Sequence, residues 1–220
     1  MHSLHPDTSY HIFNHANGFE NVFREPENYR FFLEKYHLYI SPVAETYAWC
    51  LMPNHFHLVV RIRKRRQLEE LIRLKKLSTF SKVQNFGKGK NRIIDESKIR
   101  DNEIEKYLSK QFANLFSCYT QSFNKANGRM GSLFVKNFKR EPINSREHFL
   151  HAVIYTHRNP IHHRFRDCYD DWPYSSYFGI LNGDEPGIET RKLLKLFGGK
   201  DAFKQLHHNS LQNMISIDIT

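Results

Sequence analysis

The chain of 220 residues is long enough to bury a substantial hydrophobic core, in one large domain or in one domain with appendages. Its 18 Phe and 11 Tyr argue against intrinsic disorder, and its formal net charge of +10 at pH 7 is typical of proteins that bind polyanions. Three widely spaced cysteines favour a reducing cytoplasm over a disulfide framework, and no apolar stretch predicts a membrane span or an N-terminal secretory signal.

The first third of the chain predicts elements in the order β-α-β-β. Residues 10–15 (YHIFNH) have the composition of a strand, and residues 26–40 place apolar side chains at helical spacing behind Pro26, which suits the first turn of a helix. A second strand, over about residues 46–52, turns at Pro53-Asn54 into a third strand.

The third strand carries two histidines in the stretch MPNHFHLVVRI, residues 52–62. Because successive side chains on a strand point to opposite faces, His55 and His57 face the same way while the apolar residues between them face a core. Two such imidazoles have the geometry of a metal-ligand pair, but two polar residues on a solvated face would give the same pattern. A structural zinc site is disfavoured, because no further Cys or His ligands cluster at suitable spacing.

The segment after this strand is strongly basic. Apolar residues such as Leu68 and Ile72 predict a helix within it, and GKGKNR at residues 87–92 predicts a flexible loop. The segment is either a solvated amphipathic helix or a contact surface for phosphates.

Residues 109–128 predict a longer helix that Gly128 ends. Its aromatic stripe, which includes Phe112, Tyr119 and Phe123, is interpreted as core in preference to a base-stacking surface. The following piece, residues 131–140, is predicted to be extended, and its mixture of aromatic and basic residues suits single-stranded nucleic acid. The basic residues predicted to contact nucleic acid are Arg61, Arg63, Lys64, Arg65, Lys136, Lys139 and Arg140.

A further helix begins at Ser145, a good N-cap, and is predicted to end at Asn159-Pro160. Tyr155 and Asn159 lie four residues apart, so that a phenol and an amide oxygen share one helical face. The amide is a candidate third metal ligand and the phenol a candidate nucleophile, but a tyrosine at a helix edge and a capping asparagine are also consistent with this spacing. After the turn DWPYSSY, the polar tail from about Asn182 is interpreted as peripheral.

Four stretches, YAWCLMPNHFHLVV, GSLFVKNFKR, YTHRNP and DWPYSSY, occur in this order. Together they resemble the single-tyrosine HUH transposases, in which HUH stands for His-hydrophobic-His, and they are most similar to the REP-associated tyrosine transposase branch. The resemblance covers roughly residues 10–180. The chain departs from the usual pattern at Val135, where many relatives have Gln, and in the length of the 64–110 segment and of the tail.

The resemblance implies an α+β fold with a ferredoxin-like βαββαβ core and an antiparallel sheet. It implies a catalytic domain over residues 1–181, with 64–110 as a basic, partly helical insertion, and a C-terminal extension over residues 182–220. It also implies that Tyr155 is the nucleophile, and that His55, His57 and Asn159 hold Mg²⁺ or Mn²⁺.

The implied activity is metal-dependent nicking and strand transfer on single-stranded or hairpin DNA, through a 5′-phosphotyrosine intermediate, in the bacterial cytoplasm or nucleoid. A base that assists Tyr155 is not identified by the sequence, and His151 and His157, which lie nearby, are interpreted as surface histidines. The alternatives are a non-catalytic DNA-binding relative and an RNA-binding module of the same fold. Whether the protein is a monomer or a homodimer is left open.

Overall fold

The computed structural model describes the backbone of residues 2–84 and 99–215 and the side chains of residues 2–78 and 99–211. The basic loop predicted at residues 87–92 lies outside these ranges. Within the described part of the chain, no helix has the length and apolar character that crossing a membrane requires.

The described residues form one four-stranded antiparallel sheet and seven α-helices. The strands are β1 (Ser9–His15), β2 (Ala44–Met52), β3 (His55–Ile62) and β4 (Lys139–Ile143). The helices are α1 (Pro26–Tyr39), α2 (Arg65–Gln84), α3 (Asp101–Ala126), α4 (Arg146–His162), α5 (Tyr177–Asn182), α6 (Thr190–Phe197) and α7 (Lys200–Ile215). The strand order is β2-β3-β1-β4, and each neighbouring pair is antiparallel. The predicted α+β fold with an antiparallel sheet is thus confirmed, and α2 is inserted before α3 in the βαββαβ order.

Helices cover both faces of the sheet, so β2 and β3 are buried along almost their whole length. On one face, α1 and α3 pack against a core that contains Ile12, Phe56 and Leu58. On the other face, α4 packs on β2 and β3, and Val59 and Val153 belong to a second core. The two faces therefore differ in composition: the first is apolar, whereas the second carries the histidines of β3 in addition to its apolar core.

The aromatic stripe of α3 lies in the first core. Phe112, Tyr119 and Phe123 are each at most 3% exposed. Their interpretation as core residues is confirmed, because rings buried this deeply cannot stack on bases.

Three predicted boundaries are wrong for local reasons. Helix α3 begins at Asp101, about two turns before the predicted start, because Ile104 and Leu108 continue its buried stripe among charged residues. The extended piece at 131–140 is regular strand only from Lys139, since Asn137 has a φ of 64° and interrupts the extended run. Helix α4 continues through Pro160 to His162.

The tail after Asn182 is not peripheral. Leu193, Phe197 and Phe203, on α6 and α7, are at most 4% exposed and belong to the core that α4 covers. The C-terminal helices therefore complete the second face of the sheet, although the predicted domain boundary at residue 181 stays a prediction.

We expect Phe203→Ala to lower the free energy of unfolding by about 3–5 kcal/mol, the cost of removing a fully buried aromatic ring. Urea denaturation of the full chain, followed by circular dichroism, measures the change. Lys204→Ala, an exposed neighbour on the same helix, is the matched control and should change stability by less than about 0.5 kcal/mol. Equal stabilities of the two variants would contradict the burial of α7.

Candidate functional site

Strands β1 and β3 bring four histidines to the face of the sheet that α4 covers. In the antiparallel register, His15 lies opposite His55, and Phe13 lies opposite His57. Because side chains alternate along each strand, His11, Phe13 and His15 share the face of His55 and His57. The rings of His15 and His55 stack with centroids 4.9 Å apart, and those of His11 and His57 stack at 5.1 Å.

The two histidines of β3 are buried. His55 is 3% exposed and His57 is 5% exposed, so the solvated face that the sequence left open as an alternative is wrong. Burial lowers the pKa of His55 to about 4, and burial lowers the pKa of His57 well below its usual value, with the neighbouring His11 adding to the shift. Both imidazoles are therefore neutral at pH 7, the form in which one ring nitrogen has a free lone pair.

Hydrogen bonds determine which nitrogen carries that lone pair. His55 Nδ1 lies 2.7 Å from the side-chain oxygen of Asn54, which only accepts, so Nδ1 carries the proton and Nε2 has the lone pair. His57 Nδ1 lies 2.9 Å from His11 Nε2. When His57 donates in this bond, its Nε2 is likewise left as the free acceptor.

Helix α4 places an amide oxygen against this pair. Asn159 is 1% exposed, and its Oδ1 lies 3.3 Å from His55 Nε2. The orientation of the amide is set by its nitrogen, which donates to the carbonyl oxygen of Tyr155 at 2.9 Å. Two acceptors, each with a lone pair, thus face each other in a buried position, an arrangement that a cation between them would stabilise.

Pro160 contributes to this orientation. It has no N–H to donate to the carbonyl oxygen of Thr156, the position four residues earlier. The amide nitrogen of Asn159 lies 3.5 Å from that carbonyl oxygen and partly replaces the missing donor. The proline lies inside α4, and the freed carbonyl favours the amide orientation that turns Oδ1 toward His55.

Tyr155 lies one turn before Asn159 on α4 and is 39% exposed. Its ring contacts the histidines edge-on, with its centroid 5.4 Å from that of His57 and 5.7 Å from that of His11. The four residues singled out from the sequence, two histidines, an asparagine and a tyrosine, are therefore neighbours in space. The phenol is accessible while the three nitrogen- and oxygen-bearing groups beside it are buried.

The donor set fits a divalent cation by its chemistry. Two neutral imidazoles and one amide oxygen are ligands that Mn²⁺ accepts at least as readily as Mg²⁺, which prefers oxygen. Donor atoms around a six-coordinate ion are about 3 Å apart, close to the separation of His55 Nε2 and Asn159 Oδ1. In the described part of the chain, no group of three or more His, Cys, Asp or Glu side chains is placed to hold a metal, so this mixed set is the candidate.

The basic residues predicted to bind nucleic acid lie in two places. Arg61, Arg63, Lys64 and Arg65 lie at the far end of β3, about 20 Å from His55 by strand length. Three of them have protein partners, since Arg61 pairs with Asp7, Arg63 donates to the carbonyl oxygen of Ser41, and Arg65 pairs with Glu69 and Asp101.

The second place is β4 and the segment before it. Lys139 lies opposite Phe13, which lies opposite His57, so its side chain is in the same row and on the same face as the histidines. Lys136 and Arg140 line a groove between α3 and the segment before β4, which opens on the other face of the sheet. Lys139 is thus the predicted contact residue that lies on the face of the site.

Sequence reasoning missed His11, His15 and His163 as neighbours of the site. His163 caps α4 one turn after Asn159, with its ring centroid 4.9 Å from that of His55. The alternation in YHIFNH was a usable signal for the two histidines of β1, because it places them on one face of a strand.

The interpretation of His157 as a surface histidine is wrong. It is 1% exposed, with Nε2 2.9 Å from the hydroxyl of Ser176 and Nδ1 3.0 Å from Nε2 of His207. Nδ1 of His207 in turn donates to the carbonyl oxygen of Phe203 at 2.8 Å. This buried chain joins α4 to α7. His151, by contrast, is exposed as expected.

Comparisons with known proteins bear on the fold. A solved structure of a REP-associated tyrosine transposase bound to a REP hairpin is similar to this chain, with a TM-score of 0.50 and 15% sequence identity over 84% of this chain and 87% of that one. At this identity the similarity shows a related fold alone. No model of a protein family matches the sequence, and no curated protein matches it.

Proposed function

We propose that the chain is a metal-dependent DNA nicking and strand-transfer enzyme of the HUH class, with Tyr155 as nucleophile. The observation that carries the proposal is that an accessible phenol lies beside three buried side chains, two imidazoles and one amide, that are able to bind a metal ion. The ring of Tyr155 is 5.4 Å from that of His57, and Asn159 Oδ1 is 3.3 Å from His55 Nε2. The solved structure with a related fold is a transposase bound to a DNA hairpin, which supports a DNA substrate.

The reaction at Tyr155 is a transesterification. The phenol oxygen attacks the phosphorus of a phosphodiester and loses its proton, a bond forms between that oxygen and phosphorus, and the bond from phosphorus to the 3′-oxygen breaks. The leaving 3′-oxygen takes up a proton, so the products are a free 3′-OH and a 5′-phosphotyrosine. Attack by another 3′-OH on this link restores a phosphodiester and the phenol, without an external energy source.

The proposed ligands are His55, His57 and Asn159. A divalent ion bound there would polarise a non-bridging oxygen of the scissile phosphate and orient it. Burial keeps the two imidazoles neutral, Asn54 sets the tautomer of His55, and the bond to His11 orients the ring of His57, so both rings are positioned before substrate arrives.

The test is a cleavage assay with the full chain, Mn²⁺ or Mg²⁺, and single-stranded hairpins taken from the DNA that flanks its gene. We expect product with a free 3′-OH and protein covalently attached to the 5′ end, seen on a denaturing gel. Tight hairpin binding without any cleavage in either metal would instead favour the non-catalytic DNA-binding alternative. Binding to RNA in preference to DNA would favour the RNA-binding module.

We predict that the chain binds hairpin or single-stranded DNA more tightly than random duplex at matched salt. The reason is its net charge of +10, together with two lysines near the edge of the sheet: Lys139 on the edge strand β4, and Lys136 in the segment before it. The logarithm of the affinity should fall linearly with that of the salt concentration, by about 0.7 for each phosphate contact to a single strand. Fluorescence anisotropy across a salt series measures both quantities.

The double substitution of Lys136 and Lys139 by alanine should reduce the salt slope by about 1.4, one contact for each lysine. Lys204→Ala, on the exposed face of α7, removes the same kind of charge and should leave the slope unchanged. Equal affinities for duplex and hairpin would contradict the preference for unpaired DNA.

A further inference from the structure

A cavity of about 560 Å³ lies between α4 and α7, on the side of Tyr155 away from the histidines. The walls from α4 include Leu150, Ile154 and Arg158, and α7 contributes Leu206 and Asn209. Its volume falls within the range of roughly 300–1,000 Å³ that small-molecule sites occupy.

Arg158 is the notable group in this cavity. It is half-buried, its Nε is buried without a hydrogen-bond partner, and among the described residues the side chain makes no hydrogen bond or ion pair. Glu147, the carboxylate of the same cavity, lies eleven residues away and hence about 16 Å along the helix. A guanidinium has five N–H donors arranged for two-point contact with phosphate or carboxylate, and among the described residues no protein acceptor takes up the terminal N–H groups of Arg158.

The position of Arg158 relative to Tyr155 connects the cavity to the proposed reaction. At 100° per residue, Asn159 lies about 40° to one side of Tyr155 around the helix, and Arg158 lies about 60° to the other side. The phenol therefore separates the metal-type donors from the guanidinium. A DNA strand whose phosphate reaches the oxygen of Tyr155 has to continue past it, and the cavity is the space on that side.

The remaining walls suit a nucleoside. Leu150, Ile154 and Leu206 offer apolar surface for a base or sugar, and Asn209 offers an amide that can donate to and accept from a base edge. The wall formed by α7 is held to α4 by the buried pair of His157 and His207, whose ring nitrogens are 3.0 Å apart. The cavity is thus a preformed space between two fixed helices.

We propose that this cavity binds one nucleotide next to the scissile phosphate, with Arg158 contacting its phosphate and the C-terminal helix α7 forming half of the subsite. This rests on the proposed function, which puts the scissile phosphate at Tyr155. It gives the tail after residue 182 a place in substrate recognition.

The test uses thymidine 3′,5′-bisphosphate as the probe, titrated into the full chain in EDTA and followed by calorimetry. We expect saturable binding that Arg158→Ala weakens by at least about tenfold, a loss of one charge-assisted contact. Arg158→Lys should weaken binding less, because the charge is kept. Leu206→Trp, which fills the cavity from an exposed position without changing charge, should abolish binding. Lys204→Ala on α7 is the matched control and should bind as the natural chain does.

Each other outcome has a definite meaning. No binding of the bisphosphate at millimolar concentration, or equal binding by Arg158→Ala, overturns the subsite. Binding of inorganic phosphate as tightly as the bisphosphate overturns the nucleotide and leaves an anion site. Because the probe is not cleaved and the titration needs no metal, these results are independent of whether the chain cuts DNA. A failure of the proposed function, seen as absence of cleavage, is thereby distinguished from a failure of the subsite.

Discussion

Replacing Tyr155 with phenylalanine is expected to abolish covalent attachment of the protein to DNA and to reduce cleavage by about 10⁴-fold or to background. The change removes one oxygen and keeps the ring that contacts His57 and His11, so the fold and the affinity for DNA should be preserved. The expected loss of cleavage is then due to the absence of the nucleophilic oxygen and not to a change in folding or DNA binding. A denaturing gel measures the effect when the label is on the DNA fragment that begins with the 5′-phosphate, the fragment to which the protein becomes joined. Peptide mapping then identifies the linked tyrosine.

Tyr174→Phe is the matched control. This residue lies in the turn DWPYSSY, where its ring stacks on that of Tyr29 and contacts that of Trp172, and it makes no ring contact with a histidine of the described structure. The Tyr174→Phe variant should form the covalent adduct with DNA at the same rate as the natural chain. An adduct that persists in Tyr155→Phe, or one that maps to a different tyrosine, would show that the nucleophile has been assigned wrongly.

Replacing His57 or His55 with alanine should reduce cleavage by roughly 10²-fold or more while DNA binding changes little. Each substitution removes one proposed ligand, whereas DNA affinity is spread over many phosphate contacts. Asn159→Ala should have a milder effect, since it removes a single neutral oxygen. Cleavage rates across a Mn²⁺ titration, with hairpin affinity measured in parallel, separate the two effects.

His15→Ala is the control for the histidine substitutions. Its ring stacks on His55 at 4.9 Å, but the side chain is exposed and is outside the proposed ligand set. The Mn²⁺ concentration at which the His15→Ala variant reaches half of its maximal cleavage rate should therefore stay close to the value for the natural chain. If a variant lacking both His55 and His57 still cut DNA in EDTA, no metal site would be involved.

The parts of the fold that local periodicity specifies could be predicted. The alternation in residues 55–62 gave a strand with both histidines on one side, and the apolar stripe of α3 gave a core helix. The position of Tyr155 one turn before Asn159 followed from helical spacing, and the structure places both beside His57 and His55. These are short-range properties of the sequence, and they do not depend on which elements pair.

What the sequence did not reveal depends on long-range pairing. That His15 lies opposite His55 follows from the register of β1 against β3, which joins residues forty positions apart. The burial of His157 depends on a partner fifty residues later, His207, on a helix whose composition looks solvent-facing. Helix α4 runs through Pro160, where the side-chain amide of Asn159 partly replaces a missing backbone donor.

The neighbouring pair Asn159-Pro160 has a consequence for how this site can change in evolution. A residue with an N–H at position 160 would restore the regular helical bond to Thr156, and the amide of Asn159 would lose one of the two carbonyls that orient it. The effects of substitutions at these two positions on the cleavage rate should then be non-additive. Pro160→Ala should lower the rate when Asn159 is present, and it should have little effect in a variant that already carries Asn159→Ala. Lineages that retain the amide oxygen as a ligand are expected to retain the proline, and lineages that lose one become free to lose the other.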